Sequence, residues 1–402
     1  MISVVHITEA FCGGVATYLR TILPMLVSPD CRVSLICSLE RAEPDAGATI
    51  DRLEMAGLSV SVVPMQREVA PRSDATSFRQ LASLLSQGRF DVVHTHSTKA
   101  GALGRLAARL VGVPLIVHTP HCFAFLRSNR ALPRAAALLA EMALARATDV
   151  LVGVSTSETG VARRYHLSKA DRYYVLSNPL HDCPISDGQE GTTGSDLRLS
   201  LGLPSEHRLV LMAARLVPYK GIDRFVEACR LSRCPNVSFA IAGDGPLRTD
   251  TSSLLRRLDL EGRLHVLGHV TDMQSLYRAA DVVVSCSDME GEPYAILEAM
   301  RTGRAIVATA VPGNSHLLQH GTTALLTTTE PPKIAAAIDR LLGDEGLRVK
   351  LGRAARYAFV ARPGPEAQAN RLMEIYTHHL RRKATPMTER TMAALSALKE
   401  RP

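Results

Sequence analysis

The chain contains no tryptophan, and aromatic residues make up only 4% of its 402 positions. Its interior must therefore be packed mostly by small aliphatic side chains. It has eight cysteines but no C-x-x-C pair; they are scattered through apolar or strand-like segments and read as reduced thiols of a cytosolic protein, not as a disulfide frame. No run reaches 18 uncharged apolar residues, and residues 1–7 lack a basic n-region, which argues against a membrane span and a secretory signal. G-x-G-x-x-G is absent, and no acidic residue is placed after the second strand to hold an adenosine ribose, which counts against a nicotinamide enzyme. Asp and Glu are missing altogether from residues 92–140, where six basic residues stand: Lys99, Arg105, Arg109, Arg127, Arg130 and Arg134. With a net charge of +8, this stretch is expected to form a positive surface suited to anionic lipid headgroups or phosphorylated substrates. Nucleic acid is disfavoured as a partner, because no binding motif or interleaved aromatics accompany the charge.

What is present is a repeated β/α pattern. Short β-rich runs at 2–7, 32–38, 59–64, 90–94, 115–118 and 149–154 alternate with helical stretches such as 15–26, 77–87 and 99–111, which predicts a parallel sheet covered by helices on both faces. The pattern lapses at 181–204 into a segment rich in Gly, Ser, Thr and Asp, the expected linker. A second series follows, with strands at 209–213, 238–242, 264–267, 282–285 and 305–309. The length suits two domains, an N-terminal one at 1–180 and a C-terminal one at 205–365.

Several stretches carry chemistry. Gly13 and Gly14 stand at a helix start, where bare backbone N–H groups can approach a phosphate or a polar acceptor. His94, His96, His118 and His121 follow strands at their carboxyl ends, the rim where such sheets bind ligands. They lack carboxylate or cysteine company at ligand spacing, so satisfied polar histidines are favoured over a zinc site; His121 is the one expected to meet a sugar hydroxyl as a neutral partner, unless it only caps the following turn. Phe123 to Arg127 and the alanine-rich helix around Ala135 to Ala145 mix apolar and basic residues and suit either a membrane surface or, more commonly, the core. Arg215 and Lys220 lie five residues apart across a loop that opens a helix, and a diphosphate would suit them: the guanidinium offers a planar fork, the ammonium a mobile point charge. Gly243 ends a strand in I-A-G-D-G-P, where backbone can come close to a ligand or simply turn; Asp244 is expected to fix that turn. In S-D-M-E-G-E-P-Y-A-I-L-E-A-M-R-T-G, Pro293 and Gly303 frame a helix over about 293–302. Glu290 then sits at its mouth and Glu298 about two turns deeper. Such a pair can accept hydrogen bonds from two separated sets of hydroxyls, as of a sugar and a ribose; alternatively Glu290 caps the helix and Glu298 pairs with Arg301.

Taken in order, the glycine pair, A-R-L-V-P-Y-K-G, I-A-G-D-G-P-L and E-G-E-P-Y-A-I-L-E-A-M closely resemble the family 4 glycosyltransferases of the GT-B fold, in a match spanning nearly the whole chain. The resemblance implies two Rossmann-like doubly wound domains facing a cleft, and a retaining enzyme that moves a sugar from a nucleoside diphosphate sugar to an acceptor hydroxyl. It assigns Glu290, with Gly291, to the donor sugar, Glu298 to the ribose, Arg215 and Lys220 to the diphosphate, His121 to the cleft, and Gly13 and Gly14 to the glycine loop. It further implies no cofactor and no catalytic metal, in keeping with the lack of a D-x-D pair, and a helix at 366–383 that returns to the N-terminal domain, followed by a peripheral tail at 384–402. A UDP-sugar is the favoured donor, with GDP-mannose the alternative; the expected acceptor is a lipid-linked saccharide, handled in the cytoplasm at the inner face of the plasma membrane. The chain departs from the family pattern at Cys122 (commonly Gly), at Ser177 to His181, at Glu292 and Pro293, and at Pro312 and His316 (commonly Gly and Glu). Rival readings are a transferase acting on small natural products, a nucleotide-sugar epimerase or phosphorylase on the same fold, and a membrane scaffold with a vestigial sugar site.

Overall fold

The computed structural model describes residues 1–126, 130–168, 172–182, 198, 202 and 206–384. The chain forms two compact units, one made of Met1–Pro179 with Pro363–Pro402 and the other of Leu180–Arg362. The second unit thus begins within the residues read as linker: Asp182 pairs with Arg356, and Arg198 binds the Ala279 and His207 carbonyls and the Asp281 carboxylate. The rest of 183–204 and the tail at 385–402 lie outside the described residues.

In the first unit, strands β1 (Ile2–Thr8), β2 (Cys31–Cys37), β3 (Ser59–Val62), β4 (Val92–His96), β5 (Leu115–Thr119), β6 (Val150–Gly153) and β7 (Tyr173–Val175) form one sheet in the order 3-2-1-4-5-6-7. All neighbouring pairs run parallel. In the second unit, β8 (Arg208–Ala213), β9 (Val237–Ala242), β10 (Leu264–Gly268), β11 (Val282–Ser285), β12 (Ala305–Thr309) and β13 (Leu325–Thr327) form a parallel sheet in the order 10-9-8-11-12-13. Central strands such as Val92–His96 and Ala305–Thr309 are buried along their whole length; the second therefore reads as a continuous run of apolar and small residues rather than an alternating one, while the first buries two histidines. Sequence reasoning missed β7 and β13; each is only three residues long, too short for any periodicity to show.

The cores follow from the same runs. Val5, Ile36, Val93 and Ile116 pack beneath helices Pro71–Gly88 and Thr98–Leu110, and Val210, Ile241, Val284, Phe225 and Phe239 centre the second unit. Phe123 and Phe125, with Leu151, form a further cluster with rings 5.1 Å apart, so these two aromatics are core; Arg127 lies outside the described residues. The 92–140 stretch is also less of a positive surface than its composition suggests. The Lys99 ammonium is 2.6 Å from the Asp74 carboxylate, and Arg105 is fully buried, bonded to Glu141 at 2.9 Å, Thr148 at 3.1 Å and the Gly101 carbonyl at 2.6 Å. Both cations find acids supplied from outside the window, as burial of a charge demands. Arg109, Arg130 and Arg134 remain at the surface. The Pro365–Ala384 helix belongs to the first unit, where Lys383 reaches Asp149 at 2.6 Å and Tyr174 meets His379 at 2.9 Å.

Candidate functional site

In the second sheet the strand order reverses between β8 and β11, and in open α/β sheets ligands bind beyond the carboxyl ends of the strands at that point. The loop leaving β8 carries Arg215 and Lys220; the loop leaving β11 carries Glu290 and Gly291. The two loops interlock. The Lys220 ammonium lies 2.6 Å from Glu290 Oε1, which also accepts from Ser287 Oγ at 2.6 Å. Arg224 pairs with Asp288 at 2.6 Å, and the Asp288 N–H donates to the Tyr219 carbonyl at 2.9 Å. Gly221, at φ +68°, approaches so closely that a Cβ there would sit 2.2 Å from the Cys286 carbonyl oxygen. Glu290 therefore does not cap the helix behind it: that helix runs Tyr294–Arg301 with Pro293 at its N-cap and no side-chain cap bond. Its end is as the sequence predicts, with Gly303 at φ +65° just past Thr302, a left-handed position that glycine fills without strain.

Glu298 projects from this helix beside Tyr277. Burial first, and the Glu298 charge second, push the Tyr277 phenol well above its ordinary pKa. Arg215 is half-buried, and among the described residues no hydrogen bond or ion pair holds its guanidinium. Gly243, at φ +137°, follows β9 with its Cα against the Ala214 carbonyl, 2.1 Å from where a Cβ would be. The close approach there is thus to the neighbouring loop that leads into Arg215. Asp244 accepts from the Gly245 N–H and from Arg248, both at 2.7 Å, so it fixes its turn.

Sequence reasoning missed Gly313 and Arg362 at this site and read Glu292 and His316 only as departures from the family pattern. Gly313 lies under the acidic loop, where a Cβ would stand 2.4 Å from the Glu290 carbonyl oxygen. Glu292 has a fully buried side chain held by Arg362 at 2.8 Å, with His316 at 3.8 Å. Two of the departures from the family pattern thus face each other: His316 stands where many relatives carry a glutamate, and Glu292 brings a carboxylate to it.

In the first sheet the reversal falls between β1 and β4. Gly13 and Gly14 open the Gly13–Leu26 helix after β1, but the Gly13 N–H already donates to Glu43 Oε1 at 2.7 Å, and Arg20 holds that carboxylate at 3.3 Å. A side-chain anion thus occupies the position expected for a phosphate. The four histidines part company across the sheet. His118 lies on the face under the Thr98–Leu110 helix, bonded to Thr95 and against Gly101. His94 and His96 point to the other face, two residues apart on one strand. There His96 Nδ1 meets His121 Nε2 at 3.0 Å. His94, His96 and His118 are wholly buried, so they do not line a rim; burial lowers the pKa of each well below 6.5. His6, His94 and His96 offer nitrogens within 4.8 Å of one another, and each ring nitrogen lies within hydrogen-bond distance of another protein group. His121 and Cys122 take φ +48° and +81°, left-handed values that non-glycine residues rarely hold. The turn is pinned by Glu158, which accepts from the Cys122 N–H at 2.5 Å and the Val154 N–H at 2.8 Å. Glu158 in turn opens its own helix behind the Ser155 N-cap.

Two doubly wound parallel units, one with interlocked cationic and acidic loops at its switch point, define a GT-B protein that handles a nucleotide sugar. Comparison with known proteins agrees. Residues 195–358 match the model of glycosyl transferases group 1, and residues 13–179 that of the glycosyl transferase 4-like domain. The chain is 31% identical, over 72% of its length and 74% of the relative's, to the UDP-Gal:alpha-D-GlcNAc-diphosphoundecaprenol alpha-1,3-galactosyltransferase of Escherichia coli. It is 30% identical to the D-inositol 3-phosphate glycosyltransferase of Xylanimonas cellulosilytica, covering 74% of each. The structure of Anabaena HepE in complex with UDP-glucose superposes with a TM-score of 0.77 at 20% identity, covering 94% of this chain and 100% of that one. The chain belongs to the group 1, family 4 glycosyltransferases of the GT-B fold, enzymes that act on nucleotide-sugar donors. Among the described residues no helix is long and apolar enough to cross a membrane.

Proposed function

We propose that this enzyme is a retaining glycosyltransferase that moves a sugar from a UDP-sugar to a hydroxyl of a lipid-linked saccharide during envelope or exopolysaccharide assembly. The observation that carries the donor half is the 2.6 Å contact of Lys220 with Glu290 beside Arg215. Lys220 and Arg215 receive the diphosphate, and Glu290 keeps Oε2 for a sugar hydroxyl while Oε1 orients Lys220. Glu298, deeper on its helix, takes the ribose hydroxyls, and His121 a further sugar hydroxyl. In the reaction the bond from the anomeric carbon to the diphosphate oxygen breaks and the bond to the acceptor oxygen forms on the same face. The acceptor proton passes to the departing diphosphate, whose growing charge Arg215 and Lys220 stabilise. With these two cations in that role, turnover is expected to survive chelation of divalent metals. A Glu290 carboxylate bound to an ammonium and a hydroxyl makes a poor nucleophile, which disfavours the paired-carboxylate chemistry of a glycosidase.

The E. coli relative, whose name specifies a diphosphoundecaprenol acceptor, supports the lipid-linked choice. So does the Ala131–Leu144 helix, which exposes Leu132, Leu139 and Met142 near Arg130 and Arg134; apolar and cationic groups together suit an anionic bilayer surface. The test is a panel of nucleotide sugars read by nucleotide release and by protection against heat, with and without a polyprenyl-diphosphate saccharide. Release with UDP-sugars that depends on the acceptor is expected. Conversion of the sugar nucleotide without any acceptor would make the protein an epimerase instead.

A further inference from the structure

Glu9 leaves β1 at the switch point of the first sheet. Thr8 and His96 are partners in the β1–β4 register, so Glu9 and Ser97 stand just past the carboxyl ends of the two strands, where such sheets bind ligands. Glu9 Oε2 accepts from Ser97 Oγ at 2.5 Å and from the Ala100 N–H at 3.0 Å. It thereby caps the Thr98–Leu110 helix, a task that the side chain of Ser97 itself, at φ +60°, does not perform. Glu9 is only 4% exposed.

The other oxygen of this carboxylate is unspent. A carboxylate only accepts, at about four lone-pair sites, and burying one costs free energy unless those sites are filled. Among the described residues Glu9 Oε1 has no hydrogen bond, and no cation pairs with the carboxylate. The nearby Lys99 is committed to Asp74 and to the Glu68 carbonyl. Two other carboxylates that brace loops at this rim behave differently. Glu43 gives one oxygen to the Gly13 N–H and the other to Arg20, and Glu158 gives its two oxygens to the Cys122 and Val154 N–H groups. Of the three, Glu9 keeps an oxygen in reserve. Capping alone does not account for it, because the oxygen of a Ser or Asn at the N-cap serves a helix as well as an acid does. An acceptor-only oxygen of an acid disfavours phosphate and suits a group with a hydrogen to donate, which for a sugar is a hydroxyl.

We propose that Glu9 Oε1 accepts a hydrogen bond from a hydroxyl of the acceptor saccharide, and so helps to select the acceptor, while Oε2 holds the helix. That the saccharide is an acceptor rests on the function proposed above; that this carboxylate binds a saccharide hydroxyl does not. Glu9→Gln is the discriminating variant: its amide oxygen keeps both bonds of Oε2, and its NH2 group puts a donor where Oε1 accepted. Wild type and variant are compared by saturation-transfer NMR with a panel of methyl hexosides and methyl N-acetylhexosaminides, and by transfer kinetics from a UDP-sugar to a polyprenyl-diphosphate saccharide. Thermal melts with and without UDP accompany both. Glu9→Gln is expected to melt like the wild type and to gain the same protection from UDP. Its glycoside signal is lost, and its kcat/KM for the saccharide acceptor falls about tenfold to a hundredfold, the range for a hydrogen bond to a charged group. A variant that binds glycosides and turns over like the wild type overturns the proposal and leaves Glu9 as a helix cap. So does a wild type that binds no glycoside and uses no saccharide acceptor, or a loss of UDP protection that matches the loss of turnover. If Glu9→Gln loses the glycosides while neither protein uses the polyprenyl-linked acceptor, the saccharide site stands and the lipid-linked reading falls.

Discussion

The two sheets share one strand order up to the edge strand that only the first possesses, and they place their loops at equivalent switch points, yet they handle polar groups there in opposite ways. In the second unit the polar groups are ions that keep some solvent contact, Lys220 against Glu290 and Arg224, from the first turn of the Ile222–Leu231 helix, against Asp288. In the first, the polar side chains on the strands beside the switch point are neutral imidazoles, wholly buried and bonded to one another and to Tyr376. An ion pair near solvent gives up little when a charged ligand replaces one partner, because the median exposed pair contributes only about 0–1 kcal/mol. A buried network gives up a great deal if one member charges or leaves. The same topology thus supplies a loop pair suited to exchanging partners with an anion and a rigid floor that holds His121 still.

The comparison breaks most sharply at Lys220. Replacing it with alanine removes one of the two cations proposed for the diphosphate and is expected to lower kcat by roughly a hundredfold to a thousandfold, while the melting temperature changes far less, since the pair with Glu290 is only partly buried. Steady-state kinetics beside a thermal melt check this. Near-normal turnover would place the diphosphate elsewhere and leave the Lys220–Glu290 contact as a structural bridge.

Acid is the corresponding probe of the first unit. His6, His94, His96 and His118 have folded pKa values below the ordinary 6.5 because burial penalises their charged form, with His6 near 3. Such a group is neutral in the fold but takes up a proton when the chain unfolds. Its contribution is therefore complete above about pH 6.5 and is lost as the pH falls from there toward the folded value, each histidine costing about 1.4 kcal/mol per pH unit within its window. In the second unit the half-buried His265 is lowered in the same way. Urea midpoints at about pH 9, 8 and 5 should be level between the first two and fall steeply to the third, with the first unit unfolding first. A level midpoint down to pH 5 would mean that the buried rings accept protons without cost, and the contrast between the two units would collapse.

How much of this was legible from the residues differs by kind of feature. The strands of both series other than β7 and β13 and the helix ended by Gly303 could be read in advance, because each is a local pattern of period or spacing; that Arg215, Lys220, Glu290 and Glu298 serve one ligand came from the family resemblance, and the contact of Lys220 with Glu290, 70 residues apart, was not read. The positive face at 92–140 could not: Asp74 and Glu141, which neutralise Lys99 and Arg105, stand outside the window that was counted. The histidines were half legible. Their place at strand ends was clear, but which face each points to depends on a register that puts His94 and His96 with His6 and turns His118 the other way. Tyr376, 282 residues beyond His94 in the chain, left no local signal at all. Glu292 and His316 looked like two unrelated departures and are one compensated pair.

The smallest effect sharpens the comparison from within the first unit, at the turn carrying His121. Cys122 sits at φ +81° in a conformation that costs an L-residue roughly 1–2 kcal/mol, and Glu158 holds it there through the Cys122 N–H. Glycine relieves that strain but gives the unfolded chain more freedom, a loss of roughly 0.5–1 kcal/mol. Cys122→Gly is therefore expected to stabilise the protein slightly, by about 0.5–1 kcal/mol, whereas Cys122→Ala, which keeps a Cβ, should not. Denaturant midpoints of the two variants measure the difference between them. If alanine stabilises as much as glycine, the thiol and not the backbone is the source of the cost, and the left-handed turn is not a strained platform for His121. If glycine alone stabilises while donor turnover drops, the strain is part of what fixes the imidazole at the end of its buried chain.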